Sequence, residues 1–163
     1  MQQTKIILDQ VSLEEIHSHA ALTYPEECCG LLVGKFEDNS LTKRVNGLKK
    51  MENAFAKEER YHRYTIDPRE FMNAESEAES SGEEVVGIYH SHPDSPATPS
   101  RFDIDHAWPS LSYLLVEVRN AEPVATMSWL LKEDRTGFLP ENIEIIATTA
   151  KLGNAGGARF LAP

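Results

Sequence analysis

Two short stretches of this chain carry residues of the type and spacing that hold a metal ion. His90-Ser91-His92 closes the apolar run Val85-Val86-Gly87-Ile88-Tyr89, and Ser100-Arg101-Phe102-Asp103 follows after seven intervening residues. On a strand, residues two apart share a face, so His90 and His92 present both imidazoles to one side with Ser91 on the other. The same triplet at His17-Ser18-His19 is an internal control. In a helix, positions two apart point to opposite sides, so that pair does not easily chelate one ion. Ser100 and Asp103 stand at i and i+3 and project over one edge of a helix's first turn. Ser100 there also suits an N-cap with Asp103 as its acidic partner, and the two roles are compatible. Two imidazole nitrogens and one carboxylate suit tetrahedral zinc with a fourth position left open, the arrangement of catalytic sites. Such a site needs a base, and Glu26 and Glu27 stand directly ahead of a second apolar run, Gly30-Leu31-Leu32-Val33.

These residues depend on the elements around them. A short strand is expected over 5–8, then a helix to about 23 with Ser12 as N-cap and Glu15 closing a capping box, ended by Pro25. The run 30–36 reads as a buried strand, and 41–46 as its hairpin partner across Asp38-Asn39-Ser40. An irregular connection over 51–60 leads to an expected strand over 61–66. Asp67-Pro68 opens an acidic helix to 80, of which Phe71, Met72, Ala74 and Ala78 can face inward. The strand 85–92 is the clearest in the chain. Pro93, Pro96 and Pro99 then stiffen a loop before a helix from 100 to about 107. Strands over 112–118 and 126–132, joined through Asn120-Ala121-Glu122-Pro123, and one more over 143–147 complete the pattern. Residues 1–148 read as one domain and 149–163, which contain Gly156-Gly157, as a flexible C-terminal tail.

Composition narrows the chemistry further. The 163 residues suit one domain, and 26 Asp+Glu against 16 Lys+Arg give a formal net charge of -10. Nucleic acid is therefore disfavoured as a partner, because that binding rests on cations neutralising phosphates. No apolar stretch reaches the length of a membrane span, and the first residues lack a signal-peptide run, so no membrane partner and a cytoplasmic location are expected. Cys28 and Cys29 are adjacent and have no second pair, so they read as reduced and partly buried rather than as zinc-ribbon ligands.

Taken together, Pro25-Glu26-Glu27-Cys28-Cys29-Gly30-Leu31-Leu32-Val33-Gly34, Gly87-Ile88-Tyr89-His90-Ser91-His92-Pro93 and Pro99-Ser100-Arg101-Phe102-Asp103 resemble the JAMM (MPN+) zinc metalloprotease family. Its pattern of His-x-His, seven residues, Ser, two residues, Asp is met in full, and its upstream Glu corresponds to Glu27. The resemblance implies a single mixed α/β (α+β) domain with a curved mixed sheet flanked by helices, in cytidine-deaminase-like layering. It implies one catalytic Zn²⁺ on His90, His92 and Asp103, Glu27 as general base and Ser100 as a donor to the oxyanion. The compact form, including Tyr64-Thr65-Ile66-Asp67-Pro68, is similar to stand-alone prokaryotic members, some of which process ubiquitin-like sulfur-carrier proteins. The expected activity is a peptidase or isopeptidase acting after the C-terminal Gly-Gly of such a carrier. The alternative is a non-catalytic scaffold or ubiquitin-like-protein binding module of the same fold. His62 and His106 read as ordinary residues, although His106 lies one helical turn beyond Asp103. Other zinc hydrolases fit less well. A metallo-β-lactamase pattern needs a histidine where Ser95 stands, an amidohydrolase barrel needs roughly 250 residues, and the Pro-Cys-x-x-Cys limb of a deaminase is absent.

Overall fold

A computed structural model of the chain describes residues 3–148. The expected tail 149–163, with Gly156 and Gly157, lies outside the described residues. Seven strands and three α-helices follow in the order β1 (Lys5–Asp9), α1 (Gln10–Thr23), β2 (Cys29–Glu37), β3 (Thr42–Met51), a 3₁₀ turn (Lys57–Glu59), α2 (Pro68–Ser80), β4 (Glu84–Pro93), α3 (Arg101–His106), β5 (Ser112–Arg119), β6 (Glu122–Leu131) and β7 (Phe138–Ile146).

The strands pair in the order β1-β3-β2-β4-β5-β6-β7, and β7 returns to β1. The expected curved mixed sheet thus closes on itself, because β1 is paired in parallel on both sides, with β3 and with β7. Neither of its edges is left open. β1, β3, β4, β5 and β7 run one way and β2 and β6 the other. The C-terminal ends of β3 and β4 therefore meet the start of β2, and Cys29 pairs with both Met51 and His90.

Alternation along the strands divides the core between the two faces of the sheet. Leu32, Val86, Tyr89, Leu114 and Val116 pack with Ile16 and Ala20 of α1. Cys29, Leu31, Ile88, Tyr113 and Leu115 pack with Ala74 of α2 and with Ala97 and Ala107 on either side of α3. Helices thus cover both faces, and the domain is a mixed α/β fold. Glu27 and Cys29 alternate onto the same face as Ile88, His90 and His92, which is the face that receives α3. On the opposite face, against α1, two glycines permit close approach. A Cβ on Gly30 would meet the Tyr89 ring, and one on Gly87 would lie 2.6 Å from the Ser112 carbonyl.

Several local expectations need correction. α1 begins at Gln10, with Asp9 as N-cap accepting from the Ser12 N–H, so Ser12 sits buried inside the first turn. β1 runs straight into α1, and the cap moves back to the strand's last residue. The stretch 61–66 is not a strand. Its backbone bonds instead to Asn53 and to Ala54 (N–H to the Thr65 carbonyl, 2.9 Å). Met72 is 64% exposed, while Ala74 and Ala78 are buried and Phe71 is half-buried, so the inward stripe of α2 is narrower than read. The turn between β5 and β6 is confined to Asn120 and Ala121, both at positive φ, and Glu122 and Pro123 already belong to β6. β3 and β7 are also longer than expected.

Candidate metal centre

At the C-terminal end of β4 the His90 and His92 side chains fall on one face, with Nε2 atoms 3.1 Å apart. Asp103 enters from α3, its Oδ1 3.3 Å from His90 Nε2 and its Oδ2 3.3 Å from His92 Nε2. All three residues are buried. Glu27 is buried as well, and it brings a carboxylate oxygen to within 4.8 Å of ring nitrogens on both histidines. All four of these residues are thus brought together.

Each is fixed by identifiable local chemistry. Ser100 is the N-cap of α3 and forms a reciprocal box with Asp103. The Asp103 N–H donates to Ser100 Oγ at 3.1 Å, and the Ser100 N–H donates to Asp103 Oδ2 at 2.7 Å. The same turn thus both caps α3 and directs the Asp103 carboxylate toward the two histidines, as the compatibility of the two roles on sequence allows. Ser100 Oγ accepts in this box, which leaves its O–H free to donate elsewhere. His92 Nδ1 is 2.7 Å from the Pro96 carbonyl and must be the protonated nitrogen, so its Nε2 lone pair faces the centre. The loop carrying Pro96 is itself held, by Trp129 Nε1 donating to the Ala97 carbonyl and the Asp94 N–H donating to the Val118 carbonyl.

Glu27 is held through its backbone. Its N–H donates to the Arg60 carbonyl (2.7 Å), and its carbonyl accepts from Asn53 Nδ2 (3.0 Å). The next residue, Cys28, donates its N–H to Ser91 Oγ at 2.8 Å, which explains what Ser91 does on the far side of the histidine strand. The sequence reading missed Asn53, Ser91 and Tyr64. Ser91 carried a signal in the alternation, but Asn53 and Tyr64 sit in irregular chain, where no periodicity marks a role.

The electrostatics divide the two acids. Burial by itself would raise the Asp103 pKa, but its contacts with His90, the hydrogen bond with His92 and the Ser100 N–H outweigh it and hold the carboxyl far below the ordinary range. Burial pushes Glu27 up to about 8, with Asp103 adding to the rise and His92 and Arg63 opposing it. Burial lowers His90, which keeps its imidazole neutral as a ligand must be. For His92, burial is outweighed by Asp103, Glu27 and the Pro96 carbonyl, and its pKa rises. A cation at this point would reverse the pressure on Glu27 and favour its ionised form.

The donor set fits a divalent transition metal. Ligand bonds of about 2.0–2.1 Å in a tetrahedron imply ligand–ligand edges of about 3.3 Å, close to the 3.1 Å between the two histidine Nε2 atoms, and Asp103 reaches each ring with a different carboxylate oxygen. The remaining histidines stand elsewhere. His106 stacks on Phe102 (centroids 4.0 Å) with Nδ1 2.8 Å from the Phe102 carbonyl. His17 bonds Thr126 and His19 bonds the Tyr89 hydroxyl, on separate contacts as a helix requires.

The family model of prokaryotic homologues of the JAB domain matches residues 9–132, a span that includes all these groups. The chain belongs to this prokaryotic JAB family. A desampylase from Haloferax volcanii is 35% identical over 120 residues, covering 71% of this chain and 82% of the relative. The CysO-cysteine peptidase of Mycobacterium bovis is 29% identical over 127 residues, covering 77% of this chain and 82% of that one. A solution structure of a Desulfitobacterium hafniense protein superposes with a TM-score of 0.75 at 33% identity, over 87% of this chain and 93% of that chain. Among the described residues, no helix of this family member is long and apolar enough to cross a membrane.

Proposed function

We propose that the chain is a zinc-dependent peptidase or isopeptidase that hydrolyses the bond after the C-terminal Gly-Gly of a ubiquitin-like or sulfur-carrier protein. The observation that carries this reading is the convergence of His90, His92 and Asp103 at 3.1–3.3 Å, with a second acid, Glu27, within 4.8 Å of both histidines. The relatives named for desampylation and for CysO-cysteine cleavage support the substrate class.

His90, His92 and Asp103 are the residues that would hold zinc. Bound there, zinc supplies Lewis acidity toward the scissile carbonyl and acidifies water. Asp103 is the better ligand of the two acids because it is already ionised and in contact with both rings. Glu27, buried beside this centre and favoured in its ionised form once a cation is held there, takes the proton of the attacking water and returns it to the departing amine. The Ser100 hydroxyl donates to the oxygen of the tetrahedral intermediate, a contribution of about 3–4 kcal/mol in comparable donors. The carrier tail, extended and without side chains at its two glycines, lies along the site held by backbone hydrogen bonds, and the closed sheet leaves no edge for it to join as an added strand.

The test is to offer the zinc-loaded protein candidate carriers from the same genome as Gly-Gly-X fusions and to weigh the products. A carrier ending in Gly-Gly is expected. Carriers that bind but stay intact would sink the peptidase reading and leave a binding module.

A further inference from the structure

A histidine that holds a metal must have its ring plane fixed, and the usual device is a hydrogen bond from the nitrogen that does not ligate. His92 has that device in the Pro96 carbonyl, 2.7 Å from Nδ1. His90 does not. It is fully buried, and its Nδ1 has no hydrogen-bond partner among the described residues. What lies against His90 instead is the ring of Tyr64, stacked at a centroid distance of 4.4 Å and an interplanar angle of 26°.

We propose that Tyr64 is a positioning residue that fixes the His90 imidazole by ring stacking, in the place taken at His92 by a hydrogen bond. The proposal rests on the reading of His90 as a zinc ligand. Tyr64 is suited to the task because the chain on both sides of it is tied down. Asn53 Nδ2 donates to the Arg63 carbonyl (2.9 Å), Asn53 Oδ1 accepts from the Thr65 N–H (3.3 Å), and the Thr65 carbonyl accepts from the Ala54 N–H (2.9 Å). The ring also packs into the core cluster that contains Cys29, Ile88 and Tyr113, so it cannot swing away without opening that cluster. The electronic sense is favourable too. An imidazole bound to a dication gains positive character, and the negative face of a phenol ring stabilises it through the ring quadrupole. Stacking therefore favours the loaded state over the empty one. The segment 61–66, expected as a strand, is instead irregular chain pinned by Asn53. Its task is to hold one ring against His90 rather than to extend the sheet.

The experiment measures zinc affinity by chelator competition, with the absorption of the Co²⁺-substituted protein as a second reading of ligand geometry. Tyr64→Phe keeps the ring and is expected to stay within a few-fold of the native protein. Tyr64→Leu removes the ring face and is expected to weaken zinc by about 10–100-fold, the range for lost ligand-orienting partners, and to broaden or shift the Co²⁺ bands. Pentafluorophenylalanine at position 64 keeps ring and bulk but inverts the charge on the face, so it reads the contact without a packing defect. It is expected to bind zinc more weakly than Tyr64→Phe. Native-like affinity in either the Leu or the fluorinated protein overturns the proposal, as does a Phe variant as weak as the Leu variant, which would assign the effect to the hydroxyl. A native protein that binds no zinc would sink the metallopeptidase reading itself, a result distinct from any of these.

Discussion

Ser100 and Asp103 each combine a capping role with a role in the proposed mechanism, and the two can be separated by measurement. Ser100 accepts from the Asp103 N–H to start α3, and its free O–H is directed to the oxyanion in the proposed mechanism. Ser100→Ala is expected to lower stability by about 1 kcal/mol, the usual cost of a lost cap, and to lower kcat about 10²-fold, the loss of one oxyanion donor. Denaturant melts and steady-state rates on the same protein check both; a rate loss no larger than the cap accounts for would remove Ser100 from the chemistry. The site was legible in sequence to the extent that its spacing was local. His-x-His on a strand and Ser-x-x-Asp at a helix start obey fixed periodicities, so their geometry followed from residue numbers. The contacts of Tyr64 and Asn53 were not legible, because irregular chain has no period from which a direction can be read.

Between elements, two buried polar clusters carry testable weight. Asn53 uses its amide to join three pieces of chain: Nδ2 donates to the carbonyls of Glu27 and Arg63, and Oδ1 accepts from the N–H groups of Phe55 and Thr65. Asn53→Ala leaves these buried groups without partners, at about 1–3 kcal/mol each where water cannot replace them. It is expected to cost stability and to slow catalysis through the loosened Glu27 backbone; denaturant unfolding and kcat at saturating substrate are the checks. The second cluster closes the sheet. Lys43 of β3 meets Glu141 of β7 at 3.2 Å, and Glu141 also accepts from Ser112 of β5 and Ser128 of β6, all buried. Lys43→Met strands a buried carboxylate and is expected to cost about 3–5 kcal/mol. Adding Glu141→Gln should recover most of this, because the amide oxygen still accepts from both serines; a double-mutant cycle showing simple additivity would refute the coupling. The closure of β7 on β1 was hidden in sequence, since two parallel pairings between distant segments leave no turn to announce them. The β2–β3 hairpin and the antiparallel partner of β5 were visible because short turns join them.

At the scale of the whole molecule, stability should respond to alkaline pH through the paired cysteines. Burial pushes the Cys28 thiol up to about 11 from an ordinary 9.0, and burial raises Cys29 as well. A folded pKa above the unfolded one gives a contribution that is complete below about pH 9 and is lost as pH rises toward 11. Lys43, lowered by burial against the opposing pull of Glu141, works in the opposite sense. The test is therefore the difference between native and Cys28→Ala proteins, whose stability should fall less steeply over that interval; equal slopes would contradict the assignment. The net charge of -10 takes on a local meaning in this fold. Most of the acids lie on exposed faces such as that of α2, while Glu27 and Asp103 are buried where a cation would sit. In the proposed mechanism His90, His92 and Asp103 hold zinc while Glu27, within 4.8 Å of both histidines, moves the proton. Zinc content and cleavage rate of Glu27→Gln, measured beside the native protein, separate these roles. One zinc per chain in both, with cleavage of a Gly-Gly-X fusion lowered at least about 100-fold in the variant, is the predicted result. Loss of zinc together with activity, or activity left intact, would contradict it.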